Sequence, residues 1–247
     1  MIDWLPVTPW ALAGGLVVMA LAATLQSTIG FGFAVLSVPV LLMIDPHLAP
    51  VPQLLCAVPL TLSMAWRERR DLDLSGISWV IGGRLIGALL GLQLLVLASK
   101  RLLDVVIALI VLGAVASLAW VRRIPRNPFT ELAAGTASGV SSLVSSIGGP
   151  PLALLYRDAS GGTLRSSMAA IFAIGLAITI TTRAVAGEIS QTDLVLAACL
   201  LPAVLLGFWS SRFFLGRVEG APLKRAILGV ASLAALALIA RAAFAYG

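Results

Sequence analysis

This 247-residue chain carries little charge. Only 11% of its residues are Asp, Glu, Lys or Arg, against about 25% in a soluble globular domain. Histidine occurs once, at His47, and cysteine twice, at Cys56 and Cys199. Two distant cysteines, each inside an apolar run, have neither disulfide nor metal spacing, and they read as buried structural thiols. His47 borders a loop and reads as a satisfied interfacial side chain. No Walker-type phosphate loop is present, so ATP is not expected and no cofactor is called for. Carboxylates are missing from the centres of the apolar runs. Asp3, Asp45, Glu68, Asp71, Asp73, Asp104, Glu131, Asp158, Glu188, Asp193 and Glu219 all fall in loops or first helical turns. No buried carboxylate is therefore visible to carry a proton or sodium ion. No acid–base pair or metal cluster is visible to support an intramembrane enzyme either. The net charge is +6, but there is no basic tail or arginine-rich segment, so nucleic acid is not an expected partner. The charge bears on orientation in a bilayer instead.

What is abundant is apolar sequence, 60% of the chain. Runs of about 20 residues, the length that crosses a hydrocarbon core as a helix, recur from end to end. Membrane lipid is the expected surrounding. Ten segments can be marked, at 9–29, 33–44, 48–66, 75–97, 101–121, 129–147, 149–157, 164–186, 191–213 and 222–245. The first has only Asp3 as a charge before it and ends in a polar, glycine-rich break, so it reads as a retained helix and not a cleaved signal. Segments two and seven are short. At 1.5 Å per residue the second reaches about 18 Å, against a core of about 30 Å. They read as half-helices or arms of re-entrant hairpins.

The two halves of the chain repeat. Ser-Thr-Ile-Gly-Phe-Gly at 27–32 aligns with Ser-Ser-Ile-Gly-Gly-Pro at 145–150, Asp73-Leu74 with Asp193-Leu194, Gly87 with Gly207, and Lys100-Arg101 with Lys224-Arg225. The expected organisation is a first repeat over 1–121, a linker at 122–128 and a second repeat over 129–247. If the short segments do not reverse the chain, basic residues divide eight against eight between the two sides. If they do, Arg67, Arg69, Arg70, Arg122, Arg123, Arg126, Arg157, Arg165, Arg212, Arg217, Lys224 and Arg225 share one side, and Lys100, Arg101, Arg183 and Arg241 keep the other. Twelve against four is a positive-inside signal. It predicts both termini outside and the linker in the cytoplasm. Equivalent loops swap their charge between halves, which predicts an all-α polytopic membrane protein of two inverted repeats of five segments. Each repeat has one short element after a glycine-rich break, an arrangement used by transporters.

The breaks are the candidate site. A helix broken inside a bilayer frees backbone groups that something must satisfy, and helix starts favour anions. We expect Gln26, Ser27, Thr28, Gly30, Phe31 and Gly32 from one half, and Ser145, Ser146, Gly148, Gly149 and Pro150 from the other, to converge on a small anion. Their hydroxyls and carboxamide suit a multi-oxygen acceptor. The plainer account is that small residues permit close helix packing. Arg84, near the middle of segment four, cannot easily reach an interface. It is either a structural arginine holding carbonyls freed at a helix break or the counter-charge for the anion, and we take the second as the expectation. Gln53 and Gln93 read as interhelical hydrogen-bonding residues. Arg183 and the cluster Arg67, Arg69 and Arg70 read as loop anchors.

With its doubled organisation, its Ile29-Gly30-Phe31-Gly32 break, and its Ile147-Gly148-Gly149-Pro150-Pro151 break before Leu152 and Tyr156, the chain resembles the sulfite exporter TauE/SafE family of membrane transporters over nearly its whole length. That resemblance implies transport of a sulfur-containing anion, sulfite or an organosulfonate such as sulfoacetate, across a bacterial inner membrane. Phe31 stands where a smaller residue is expected, which leaves substrate size and direction open. The reading is a secondary transporter with a midplane site and alternating access. The alternatives are a facilitative or channel-like carrier of another small oxyanion, or a non-transporting membrane subunit. A second copy of the chain, forming a homodimer, is among the partners the sequence allows.

Overall fold

The computed structural model describes residues 6–120, 124–156, 158–214, 229, 231–237, 239 and 240. Most of the tenth expected segment, and Arg122, Arg123, Arg157, Arg217, Lys224, Arg225 and Arg241 of the charge count, lie outside the described residues. Among those described, regular structure is entirely helical: α1 Pro9–Ile29, α2 Phe33–Ile44, α3 Val51–Arg67, α4 Ile77–Leu97, α5 Lys100–Trp120, α6 Pro128–Ser145, α7 Gly149–Leu155, α8 Gly161–Val185 and α9 Gln191–Ser210, with short 3-10 turns at Pro46–Leu48, Arg69–Asp71 and Ser211–Phe213. Six helical stretches are long and apolar enough to cross a membrane. The protein is a multi-pass membrane protein. α6 is not among the six; serines and glycines dilute its hydropathy. α2 spans about 18 Å and α7 about 10 Å, so neither matches a hydrocarbon thickness of about 30 Å.

Local chemistry sets the helix ends. Thr8 accepts a hydrogen bond from the Ala11 N–H at 3.2 Å, and Pro9 follows at the first helical position, where its missing N–H is harmless. α6 begins the same way, with a reciprocal cap between Asn127 and Thr130 and with Pro128 next. α1 ends at Gly30, φ 103°, whose N–H donates to the Gln26 carbonyl at 2.7 Å, and α2 starts after Gly32, φ 112°. Both values lie in the left-handed region that glycine enters without steric cost.

The second break is made differently from the one expected. Ser146, not a glycine, takes the left-handed turn, with φ 61°. Gly148 has an ordinary φ of −95°. Closeness explains the glycines there. A Cβ on Gly148 would meet Ser138 Oγ at 3.0 Å and Arg84 Nη1 at 3.2 Å, and one on Gly149 would meet Phe31 Cβ at 3.4 Å.

Helices pair mainly as α4 with α6 and α1 with α9, while α3 lies against α8 and α9, and α4 against α8. The α4–α6 crossing depends on small residues. A Cβ on Gly87 would lie 2.2 Å from the Thr136 carbonyl oxygen, and one on Gly135 the same distance from the Val80 carbonyl. At the α1–α9 crossing a Cβ on Gly207 would lie 2.3 Å from the Ala20 carbonyl. Backbone-to-backbone approach of this kind is how helices adhere when lipid removes the hydrophobic drive between them. Leucines such as Leu21, Leu85 and Leu89 face outward, and Trp10, Trp66, Trp79, Trp120 and Trp209 are exposed near helix ends, as aromatic residues are at bilayer interfaces.

One end of the molecule is tied by ion pairs. Arg126 binds Asp73 at 2.6 Å and Glu131 at 3.2 Å, and Arg165 binds Glu68 at 3.1 Å. The Glu68–Arg165 pair joins two stretches that the eight-against-eight division would put on opposite sides of a membrane. The twelve-against-four division keeps them together.

Candidate functional site

The two breaks meet. Gln26, Gly32 and Phe33 from the first, and Ser146, Ile147, Gly148 and Gly149 from the second, line one cavity of about 40 Å³. A single water needs about 10–15 Å³ on this measure, so the space suits a few waters or a compact oxyanion. α3 adds Gln53, Ala57 and Thr61, α4 adds Arg84, α6 adds Ser142, and α8 adds Phe172 and Leu176. Apolar walls with a few convergent polar groups are the usual make-up of a small-ligand site.

Gln26 sits in the last turn of α1. Its Oε1 accepts from the Phe33 N–H at 3.2 Å, so the carboxamide spans the break and caps α2. Arg84 is 2% exposed. Its Nη1 donates to Ser138 Oγ at 2.6 Å and its Nη2 to Ser142 Oγ at 3.3 Å, while Nε has no partner. Ser138 passes the connection on, donating to the Gly148 carbonyl at 2.6 Å. The guanidinium is thus roped to α6 and the second break through hydroxyls alone, with no carboxylate within ion-pairing distance among the described residues. A buried cation with only neutral partners is expensive unless an anion joins it.

The structural role weighed for Arg84 belongs to Arg183. Arg183 is 2% exposed. Its Nε donates to the Leu143 carbonyl at 2.9 Å and its Nη2 to the carbonyls of Leu143 and Val144. These are among the last acceptors of α6, which no intrahelical donor can reach. Arg183, expected to anchor a loop, instead holds the end of α6. Arg67 is not simply a loop anchor either: its guanidinium donates to the Ser27 carbonyl at the end of α1 and to Ser211 Oγ.

Six of the expected site residues line the cavity: Gln26, Gly32, Arg84, Ser146, Gly148 and Gly149. The other six stand behind the walls. Ser27 Oγ is buried without a partner. Thr28 donates to the Thr24 carbonyl and Ser145 to the Ser141 carbonyl. Gly30 is packed on Arg165, and Phe31 on Gly149. Pro150 faces a separate apolar hollow of about 530 Å³ between α5, α6 and α7. The second break also supplies fewer amide donors than a helix start usually does, because Pro150 and Pro151 have no N–H.

Gln53 is the residue misjudged most. Expected to bridge helices, it is fully buried with both carboxamide atoms unpartnered, and it lines the cavity. Gln93, given the same role, is exposed on α4. Gly175 on α8 was not singled out, yet a Cβ there would lie 2.1 Å from Arg84 Nε. Its only sequence signal is a glycine within a long apolar helix.

Broken, closely packed helices around a small, largely apolar cavity with a few convergent polar groups and one buried cation define the class, a multi-pass membrane protein with a transporter-like interior. The family model described as Sulfite exporter TauE/SafE matches residues 15–238, and the chain belongs to that family. The family is one of membrane transporters of sulfur anions. No curated protein and no solved structure matches the chain.

Proposed function

We propose that the protein is a secondary transporter of a small sulfur-containing anion, sulfite or a compact organosulfonate, and not an enzyme. Arg84 carries the reading. It is a buried guanidinium without a carboxylate partner, with Nε unpaired, lining the same small cavity as both helix breaks. The anion neutralises Arg84, and the hydroxyl of Ser142 and the carboxamide N–H of Gln26 complete its coordination.

The chain works as two inverted halves, 1–121 and 129–247, joined by a cytoplasmic linker in a bacterial inner membrane with both termini outside. The exchanged helix pairs α1–α9 and α6–α4 support that organisation, as does the grouping of Arg67, Arg126 and Arg165 at one end. Alternating access then comes from one group of helices rocking against the other about the shared cavity.

Proteoliposomes containing the purified chain should move labelled sulfite or methanesulfonate. Arg84→Gln should weaken anion binding on the order of thirtyfold or more, as removal of one partner of a buried charge pair does. Indifference to both anions, together with flux of an unrelated cation, overturns the reading.

A further inference from the structure

Gln53 is the least explained group in the cavity. It lies in the first turn of α3, is 0% exposed, and leaves both Oε1 and Nε2 without a hydrogen-bond partner among the described residues. A buried carboxamide is a donor and an acceptor at once, and leaving both unmet is unfavourable unless a ligand or water meets them. The electrostatics around it are equally spare. Among the described residues that line the cavity, Arg84 on α4 is the only ionisable one. α1 brings Gln26, α3 Thr61 besides Gln53, α6 Ser142 and the break after it Ser146, while α2 and α8 bring apolar side chains alone.

These facts together restrict the ligand. A guanidinium stays protonated and neutralises one negative charge. A dianion would carry a second, uncompensated charge into a site removed from water. A fully deprotonated oxyanion can only accept hydrogen bonds, so it would leave Gln53 Oε1 facing another acceptor. A protonated monoanion presents one charge and one O–H donor. The volume of about 40 Å³ favours a compact oxyanion over one carrying a carboxymethyl arm.

We propose that the cavity selects the singly protonated, monovalent form of a small oxyanion, which for sulfite is hydrogensulfite. Arg84 neutralises its charge, and Gln53 accepts the ligand's O–H at Oε1 while donating Nε2–H to a neighbouring ligand oxygen. The proposal rests on the reading of this cavity as the anion site. It also accounts for the lack of carboxylates at the span centres. The proton crosses on the substrate, one with each sulfite, and no carboxylate of the protein has to take it up.

Calorimetry on the purified full chain, with sulfite, sulfate and methanesulfonate across the second ionisation of sulfite, tests this. Apparent sulfite affinity should be flat below that ionisation and fall about tenfold per pH unit above it, as linkage to one proton requires. Sulfate, a dianion throughout, should not bind. Methanesulfonate, a monoanion without an O–H, should bind more weakly and without pH dependence. Gln53→Leu should narrow the preference for sulfite over methanesulfonate at low pH by about tenfold. If that variant fails to fold, the wild-type pH profile decides. Sulfite affinity that holds or rises above the ionisation, or sulfate binding as tightly as sulfite, overturns monoanion selection and leaves the anion site standing. Failure of all three anions to bind at any pH removes the anion site and the proposal with it.

Discussion

Arg67 and Arg183 perform the same task at the two broken helices. Each stands in the last turn of its helix, α3 or α8, and crosses to acceptors that the end of a broken helix leaves unmatched: Ser27 for Arg67, and Leu143 and Val144 for Arg183. Helix C-termini carry partial negative charge, which would repel an anion held at the breaks. A guanidinium at each one offsets that charge and fixes the break.

The two arginines should differ in cost. Arg183 is buried, and Arg183→Ala leaves two carbonyls unpaired beside a void, an expected loss of about 3 kcal/mol. Arg67 is half-buried, and its neighbour Glu68 keeps Arg165 as a partner. Water can reach the vacated site, so Arg67→Ala should cost about 1 kcal/mol. Unfolding in detergent measures both. A larger loss for Arg67→Ala would contradict the assignment of roles.

Gly175 sets where the Arg84 guanidinium can lie. Gly175→Ala brings a methyl carbon to within 2.1 Å of Nε, so the side chain must move or the helices part. Anion affinity should drop by about tenfold or more, with stability lowered by about 1–3 kcal/mol. Gly113→Ala is the control: nothing lies within 4 Å of the added carbon, and a helical Gly→Ala change should leave stability equal or higher by about 0.5–1 kcal/mol. Wild-type anion affinity in Gly175→Ala would mean that Arg84 is not held by this contact.

Asp73 makes stability depend on acid. Hydrogen bonds from Ser75 and Arg126 hold its carboxyl down to about 2, below its ordinary 3.8. A depressed carboxyl contributes stability that is present above its ordinary value and is lost as pH falls through the folded value. Asp73→Asn should therefore lower the thermal midpoint at neutral pH, and the gap to wild type should close between about pH 4 and pH 2. A gap that stays constant through that window would show that Arg126 does not depend on the charge of Asp73.

Orientation is open to direct labelling. A single cysteine introduced at Asn127, in a variant lacking Cys56 and Cys199, should resist membrane-impermeant thiol reagents in intact cells and react once the cells are opened. Reaction in intact cells would reverse the assignment of the linker to the cytoplasm.

Much of the fold was legible in the sequence because the signals for it are local. Pro9 and Pro128 just inside helix starts, the Gly30–Gly32 break and the shortness of 33–44 all act within a few residues, and the observed helix ends follow them closely. The side chains around the cavity were less legible. Gln26, Arg84 and Ser146 were anticipated. Gln53 was misread and Gly175 passed over, because nothing near Gln53 in sequence reveals whether its amide meets a partner, and nothing near Gly175 reveals that an arginine more than ninety positions away lies against it.

By itself, then, the amino-acid sequence determined the solvent, the helices and the places where helices stop, since apolar length, proline and glycine act on their own neighbourhood. The tertiary structure alone decided which polar groups share a space. It put the left-handed turn of the second break at Ser146, turned Pro150 toward another hollow, gave the α6 carbonyls to Arg183, and left Arg84 and Gln53 facing one cavity. Those outcomes depend on distances between helices remote in sequence, and such distances are set only when the glycine-lined crossings close.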